Sequence, residues 1–288
     1  MREVARIIES HGKSFIVELA EGRRYIATTR KKKTDYAVGD QVEVGILNEK
    51  QAVIEKALPR SSLLYRSDEW REKLIAANVT QIVVVLAAVP SFYEELLSRC
   101  LVAAEDADIR VLILLNKADL PETAAVRPIL APYCALGYPM LELSAQEDVS
   151  PLWAYLVDQT SVFVGQSGMG KSTLVNALLP EVKARTNEIS VALDSGKHTT
   201  THATLYRLPH GGELIDSPGL QEFGMRHLPA DRLVPLFPEF RPYIGQCRFH
   251  NCRHDREPNC ALIAALERGE ILPQRLNLLR KLRAECGA

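Results

Sequence analysis

The chain's 288 residues are enough for two or more domains, and a make-up of 47% hydrophobic, 25% charged and 6% aromatic residues excludes a disordered, collagenous or membrane-embedded protein. The formal net charge of -1 argues against a polyanionic partner only while it is left undivided. Residues 1–60 carry 12 Lys+Arg against 9 Asp+Glu, residues 61–240 carry 14 against 22, and residues 241–288 carry 9 against 5, so two basic ends flank an acidic middle.

The opening MREVARIIESHGKSF holds no apolar run of signal-peptide length. The longest apolar stretch, IVVVLAAVP (82–90), falls far below the roughly 20 residues that span a bilayer and reads as a buried strand. A cytoplasmic protein with no membrane partner is expected. There, six cysteines read as thiols or metal ligands rather than as a disulfide framework.

From residue 1 to about 58, the alternating segments VARIIES, SFIVELA, RRYIATT, QVEVGIL and QAVIEKA are punctuated by HGK, EG, VGD and NEK. About five short strands fit a small antiparallel barrel such as an OB-fold, whose closure manages the strand edges. The run RKKK (30–33) within it is either a solvated loop or a phosphate contact. Near residue 79 the rhythm changes: continuous apolar strands (QIVVVLAAV, RVLILLNK, TSVFVGQ) alternate with helical stretches (YEELLSRCLVAAEDA, GKSTLVNALL), the pattern of a parallel sheet covered by helices. After Pro235 strand formers become scarce, and CALIAALERGE and ILPQRLNLLRKLRAE read as helices.

Chemistry enters at GQSGMGKS (165–172), which matches G-x-x-x-x-G-K-S/T between an apolar strand and a helix start. Gly165, Gln166, Ser167, Gly168, Met169 and Gly170 would wrap a phosphate chain with backbone N–H groups at the positive end of a helix, continuing into Thr173. Lys171 would reach the β and γ phosphates and Ser172 would hold Mg²⁺ through its hydroxyl. The bland alternative is a glycine-rich turn with a solvated lysine.

RVLILLNKADL ends a strand with Asn116, Lys117 and Asp119, an N-K-x-D pattern. The aspartate would pair with the N1 and N2 donors of guanine; adenine offers no such pair, and hydrogen-bond-matched sites reject an analogue lacking the group by about 10⁴–10⁵. Lys117 would lay its stem over the base, Asn116 would brace the loop, and Ser144 and Ala145, after the strand-like PMLELS, would contact the guanine oxygen. DSPG (216–219) supplies Asp216 for Mg²⁺ through water and Gly219 for the γ phosphate, and in SGKHTTTH (195–202) Thr200 or Thr201 would join the Mg²⁺ shell. Base recognition precedes the phosphate loop, the reverse of the usual GTPase order, so the domain is circularly permuted.

Cys247, Cys252, His254 and Cys260 give C-x₄-C-x-H-x₅-C. Three thiolates and an imidazole complete a tetrahedral structural zinc with no open position, and a tail this short needs the ion's binding energy to fold. His250 competes as a ligand but is not needed for four. The expected organisation is an OB-fold β-barrel over 1–60, a circularly permuted α/β P-loop GTPase over 61–235 and a mainly helical zinc-binding domain over 236–288.

Together NKAD, SA, GQSGMGKST, GKHTTTH, DSPG and the C-terminal Cys/His cluster resemble the RsgA (YjeQ) family, bacterial circularly permuted GTPases, over essentially the whole chain. The resemblance implies slow intrinsic GTP hydrolysis stimulated by the small ribosomal subunit during its late maturation, release of another assembly factor, and ribosomal RNA contacts from the flanking domains. GTP and GDP would be the nucleotides, with Mg²⁺ and one structural zinc, in a monomer. Leu220 follows DSPG where Ras-like enzymes place a water-orienting Gln, and the resemblance assigns that role to His198; Gln221 stands one place late. Leu220 also leaves room for a nucleotide-gated RNA-binding scaffold with incidental hydrolysis. An ATP-using P-loop enzyme is opposed by NKAD.

Overall fold

The computed structural model describes residues 2–12, 14–30, 35–67, 72–180, 203–216, 225 and 228–286. The N-terminal strands are β1 (Arg2–His11), β2 (Ser14–Leu19), β3 (Arg24–Thr29), β4 (Gln41–Ile46) and β5 (Gln51–Ala57). They pair in the order β1-β2-β3-β5-β4, and β4 returns to β1, which closes an OB-fold barrel. Its core follows from the alternation: Tyr25 and Ala27, Val42 and Val44, Ala52 and Ile54 point inward, while Ile26 between two of them stays half exposed.

A hairpin of β6 (Leu63–Ser67) and β7 (Glu72–Ala77), absent from the sequence reading, follows the barrel and abuts it. The Ala77 N–H donates to Val38 O at 2.9 Å, and Asn78 Nδ2 donates to Gly39 O at 2.9 Å. Gly39 has φ +92, and a Cβ there would collide with Ala77 O, so the close approach requires glycine.

The central sheet contains β8 (Gln81–Leu86), β9 (Arg110–Asn116), β10 (Met140–Leu143), β11 (Thr160–Val164), β12 (Thr204–Arg207) and β13 (Glu213–Asp216), ordered β10-β9-β8-β11-β13-β12. The first five are parallel and β12 runs antiparallel to β13. Every residue of β8 is buried, which is why its sequence reads as an unbroken apolar run. Ile82, Val84 and Leu86 face α1 (Glu94–Ala107) in a core continuous with the barrel's, whereas Val83 and Val85 face α4 (Lys171–Leu178). Between them in the chain lie α2 (Arg127–Ala135) and the short α3 (Trp153–Leu156). Barrel and sheet join where Glu9 pairs with Thr204 and the Arg6 guanidinium meets Glu213 at 2.7 Å.

The C-terminal region contains 3-10 turns and two helices, α5 (Ala261–Glu267) and α6 (Pro273–Cys286). Leu276, Leu279 and Leu282 share one buried face of α6, an i, i+3, i+6 stripe. The fully buried Arg275 is bonded to Glu239 at 2.5 Å and lies 4.6 Å above the Phe237 ring, so its charge is both paired and stacked. No helix among the described residues is long and apolar enough to cross a membrane.

Candidate functional site

The carboxyl ends of β8, β9, β10, β11 and β13 lie along one edge of the sheet, and the crevice outside such an edge is where open parallel sheets bind ligands. The phosphate loop leaves β11 there and enters α4. Gly165 (φ +155) and Gly170 (φ +94) are both tightly overlaid: a Cβ at Gly165 would strike Val85 O, and one at Gly170 would strike Asn116 Nδ2. Sequence thus selects glycine because the loop is clamped from two sides.

Asn116 is the clamp. The last residue of β9 and almost fully buried, it donates from Nδ2 to Met169 O at 2.8 Å and accepts at Oδ1 from Ala145 N–H at 3.0 Å. One side chain therefore ties the 116–119 loop, the 144–145 loop and the phosphate loop together. The parallel register of β9 and β10, with Asn116 opposite Leu143, puts Ser144 and Ala145 in place. Ser144 is buried, and its carbonyl accepts from the N–H groups of Glu147 and Asp148, closing the turn.

Lys117 adopts a left-handed backbone (φ +62), and its Nζ donates to Val89 O at 2.7 Å. The Thr123 hydroxyl donates to Lys117 O, which fixes the turn on which Asp119 stands exposed. Within the phosphate loop, two side chains are already engaged by the protein: Met169 is buried in the core against which α4 packs, and Gln166 accepts the Tyr93 N–H at 2.7 Å. They present backbone groups only. Ser167, Gly168, Ser172 and Thr173 are exposed.

Lys171 Nζ folds back to donate to Gly165 O at 2.5 Å and Gln166 O at 2.7 Å. Burial lowers its proton affinity and the charge of Asp216 opposes that shift; burial raises the Asp216 carboxyl and Lys171 opposes it in turn. The terminal residue of β13 and the loop lysine are therefore within electrostatic reach of each other. The crevice assembles Asn116, Lys117, Asp119, Ser144, Ala145, the 165–173 loop and Asp216. His198, Thr200, Thr201 and Gly219, with Leu220 and Gln221, lie outside the described residues.

The sequence reading missed the segment after β8, where the Pro90 ring would lie 3.0 Å from a Cβ on Gly168 and Tyr93 meets Gln166. Its position was the available signal, because residues just past the carboxyl end of a central parallel strand border such a crevice.

In the C-terminal region the ligand atoms of Cys247, Cys252, His254 and Cys260 all lie within 4.8 Å of one another. Cys247 Sγ is 3.6 Å from His254 Nδ1 and 4.0 Å from Cys260 Sγ, and Cys260 Sγ is 3.3 Å from His254 Nδ1. A tetrahedral ion with Zn–S of about 2.3 Å and Zn–N of about 2.0–2.1 Å holds its donors roughly 3.5–3.8 Å apart, so the set fits. Burial, then the charge of Arg283, lowers His254, which keeps the imidazole neutral for ligation. Burial above all pushes the Cys252 thiol up to about 12, so its thiolate needs a cation beside it. Arg280 of α6 donates to the carbonyls of His254 and Asp255, bracing the loop from behind. His250 is exposed and outside the cluster.

Residues 57–226 match the family model described as RsgA GTPase. The "Small ribosomal subunit biogenesis GTPase RsgA" of Neisseria meningitidis is 55% identical over 285 residues, covering 99% of this chain and 93% of that protein. Its namesake in Nitrosospira multiformis is 51% identical over 278 residues, 96% of this chain and 88% of the relative. Among solved structures, YjeQ from Thermotoga maritima superposes with a TM-score of 0.75 at 28% identity over 100% of this chain and 99% of its own, and YloQ, described as a circularly permuted GTPase, with 0.73 at 27% identity over 100% and 96%.

Proposed function

The chain belongs to the RsgA GTPase family and hydrolyses GTP, and from that premise we propose that it acts on the small ribosomal subunit during late maturation, in the cytoplasm and as a monomer. The observation that supports the nucleotide reading is the Asn116 clamp: it ties the 116–119 and 144–145 loops to the 165–173 loop, as a site that reads guanine and holds its phosphates requires.

In this reading Asp119 accepts from guanine N1–H and N2–H, Lys117 covers the base face, and Ser144 and Ala145 meet the base oxygen. Backbone N–H groups of 165–173 hold the phosphates, and Lys171 leaves the carbonyls of Gly165 and Gln166 for the β and γ phosphates. Ser172, Asp216 and one of Thr200 or Thr201 would hold Mg²⁺, whose charge offsets that of the β and γ oxygens; Gly219 senses the γ phosphate. His198 orients a water whose oxygen bonds to the γ phosphorus as the bond to the β–γ bridging oxygen breaks, giving GDP and phosphate. Subunit contacts place His198, stimulating turnover.

The Cys247, Cys252, His254 and Cys260 cluster would hold one structural zinc. The basic ends grip ribosomal RNA, and hydrolysis frees the subunit and an assembly factor. Subunit affinity measured with GDP and with a non-hydrolysable GTP analogue tests the switch: the protein carrying the analogue should bind the subunit more tightly than the protein carrying GDP, and equal affinities contradict it. His198→Ala should keep nucleotide affinity and lose subunit stimulation; unchanged stimulation would remove it from the mechanism.

A further inference from the structure

In the chain, DSPG runs directly into LQEFGMRHLP (220–229), which leads to the C-terminal region and so joins it covalently to the nucleotide site. The described residues provide a second connection, which runs through α1.

At its N-terminus α1 has no side-chain cap of its own. The Tyr93 N–H at that cap position is satisfied instead by Gln166 Oε1 of the phosphate loop at 2.7 Å, the bond a third-position Glu or Gln makes within a capping box. The preceding segment touches the same crevice twice more, with Pro90 against Gly168 and Val89 O accepting from Lys117 Nζ.

Along its length the same helix is gripped by the C-terminal region. Lys281 meets Glu95 in the first turn at 2.5 Å, Glu285 takes Arg99 with two bonds at 2.5 and 2.9 Å in the second, and Arg241 holds Glu105 in the last at 2.5 Å. Val102 of α1 is buried inside the C-terminal core rather than the sheet's. The opposite face of the helix is locked on the sheet by Leu97, Cys100, Leu101 and Ala104. A helix packed on both faces moves as one piece.

We infer that α1 is a strut between the C-terminal region and the phosphate loop, and that Gln166 is the positioning residue through which the docking of α6 sets nucleotide affinity. The inference rests on the reading of the crevice as a guanine nucleotide site. It follows because Lys171 must leave Gly165 O and Gln166 O to reach phosphates, so the hydrogen bonds that hold the backbone at Gln166 change between the empty and loaded states. A contact that favours one loop state couples to whatever holds α1, and the coupling is reciprocal.

Gln166 and Glu285 share no contact, which makes a double-mutant cycle decisive. Dissociation constants of fluorescent GDP and of a fluorescent non-hydrolysable GTP analogue would be measured for the full chain, Gln166→Ala, Glu285→Arg and the double variant, with Glu285→Gln as a milder version that removes the carboxylate charge without reversing it. The strut requires Glu285→Arg to shift affinity in the parent but not in the Gln166→Ala background, a coupling of about threefold or more, with Glu285→Gln shifting it in the same direction. Additive effects, with guanine nucleotide binding intact in the parent, overturn the strut. Failure of the parent to bind guanine nucleotides overturns the reading on which it rests.

Discussion

Replacing Asn116 by Ala should loosen three loops at once. The substitution removes both bonds at one stroke, leaving the buried Met169 C=O and the half-buried Ala145 N–H unpaired. A buried backbone group stripped of its partner costs about 1–3 kcal/mol; Met169 C=O takes that range and the half-buried Ala145 N–H about 1 kcal/mol, so together these losses amount to about 2–4 kcal/mol. If the empty protein keeps its loops ordered, the loss appears as faster opening; if the loops relax, nucleotide binding must re-order them and weakens by about thirty- to a thousandfold. Amide exchange at Ala145 and titration with fluorescent GDP therefore read the two halves of one quantity. Asn116→Asp separates hydrogen bonding from shape: the carboxylate still accepts from Ala145 N–H but faces Met169 O with a second acceptor, so it should be as damaging as Ala. An Asn116→Asp protein with parental exchange and affinity would refute the clamp.

Gly170→Ala should destabilise the phosphate loop by about 1–3 kcal/mol, because its φ of +94 is unfavourable for a Cβ that would strike Asn116, and its nucleotide titration should weaken in step. Asp119→Asn should weaken GDP and favour a xanthine nucleotide, whose C2 oxygen accepts from the new amide; competition between the two bases checks it. Chelation should remove one zinc per chain and unfold the region around Cys247, Cys252, His254 and Cys260 ahead of the sheet, seen as selective loss of amide protection there. The Lys281 hydrogen bond, then that of Arg99, holds Glu95 below the ordinary carboxylate value against the effect of burial. The folded-state value is depressed, so its contribution is present above about pH 4.3 and fades below it. Glu95→Gln should therefore be less stable than the parent at neutral pH and converge with it in acid, as read by thermal unfolding.

The parts of this protein that were legible in its sequence are those whose cause is local. Alternation over 1–58 announces barrel strands because each buries one face. The glycines of 165–170 and the NKAD tetrad are visible because ligand-binding motifs constrain residue type at fixed short spacing. What stayed hidden depends on partners far away in the chain. Nothing near Arg275 indicates that a residue of a basic helix is fully buried, since Glu239 and Phe237 come from another element. Asn116 reads as a loop brace, but its reach to Met169 and Ala145 needs the strand order β10-β9-β8-β11. The β6–β7 hairpin escaped because its strands lean on the barrel through Val38 and Gly39 rather than on a periodic pattern of their own.

The most direct test is single-turnover GTP hydrolysis by the full chain, alone and with isolated small subunits, large subunits or free RNA. Acceleration by the small subunit alone is the expected result; an unchanged rate, or equal acceleration by all three, would contradict a GTPase that works on the small ribosomal subunit and would favour a nucleotide-gated scaffold or a general response to RNA.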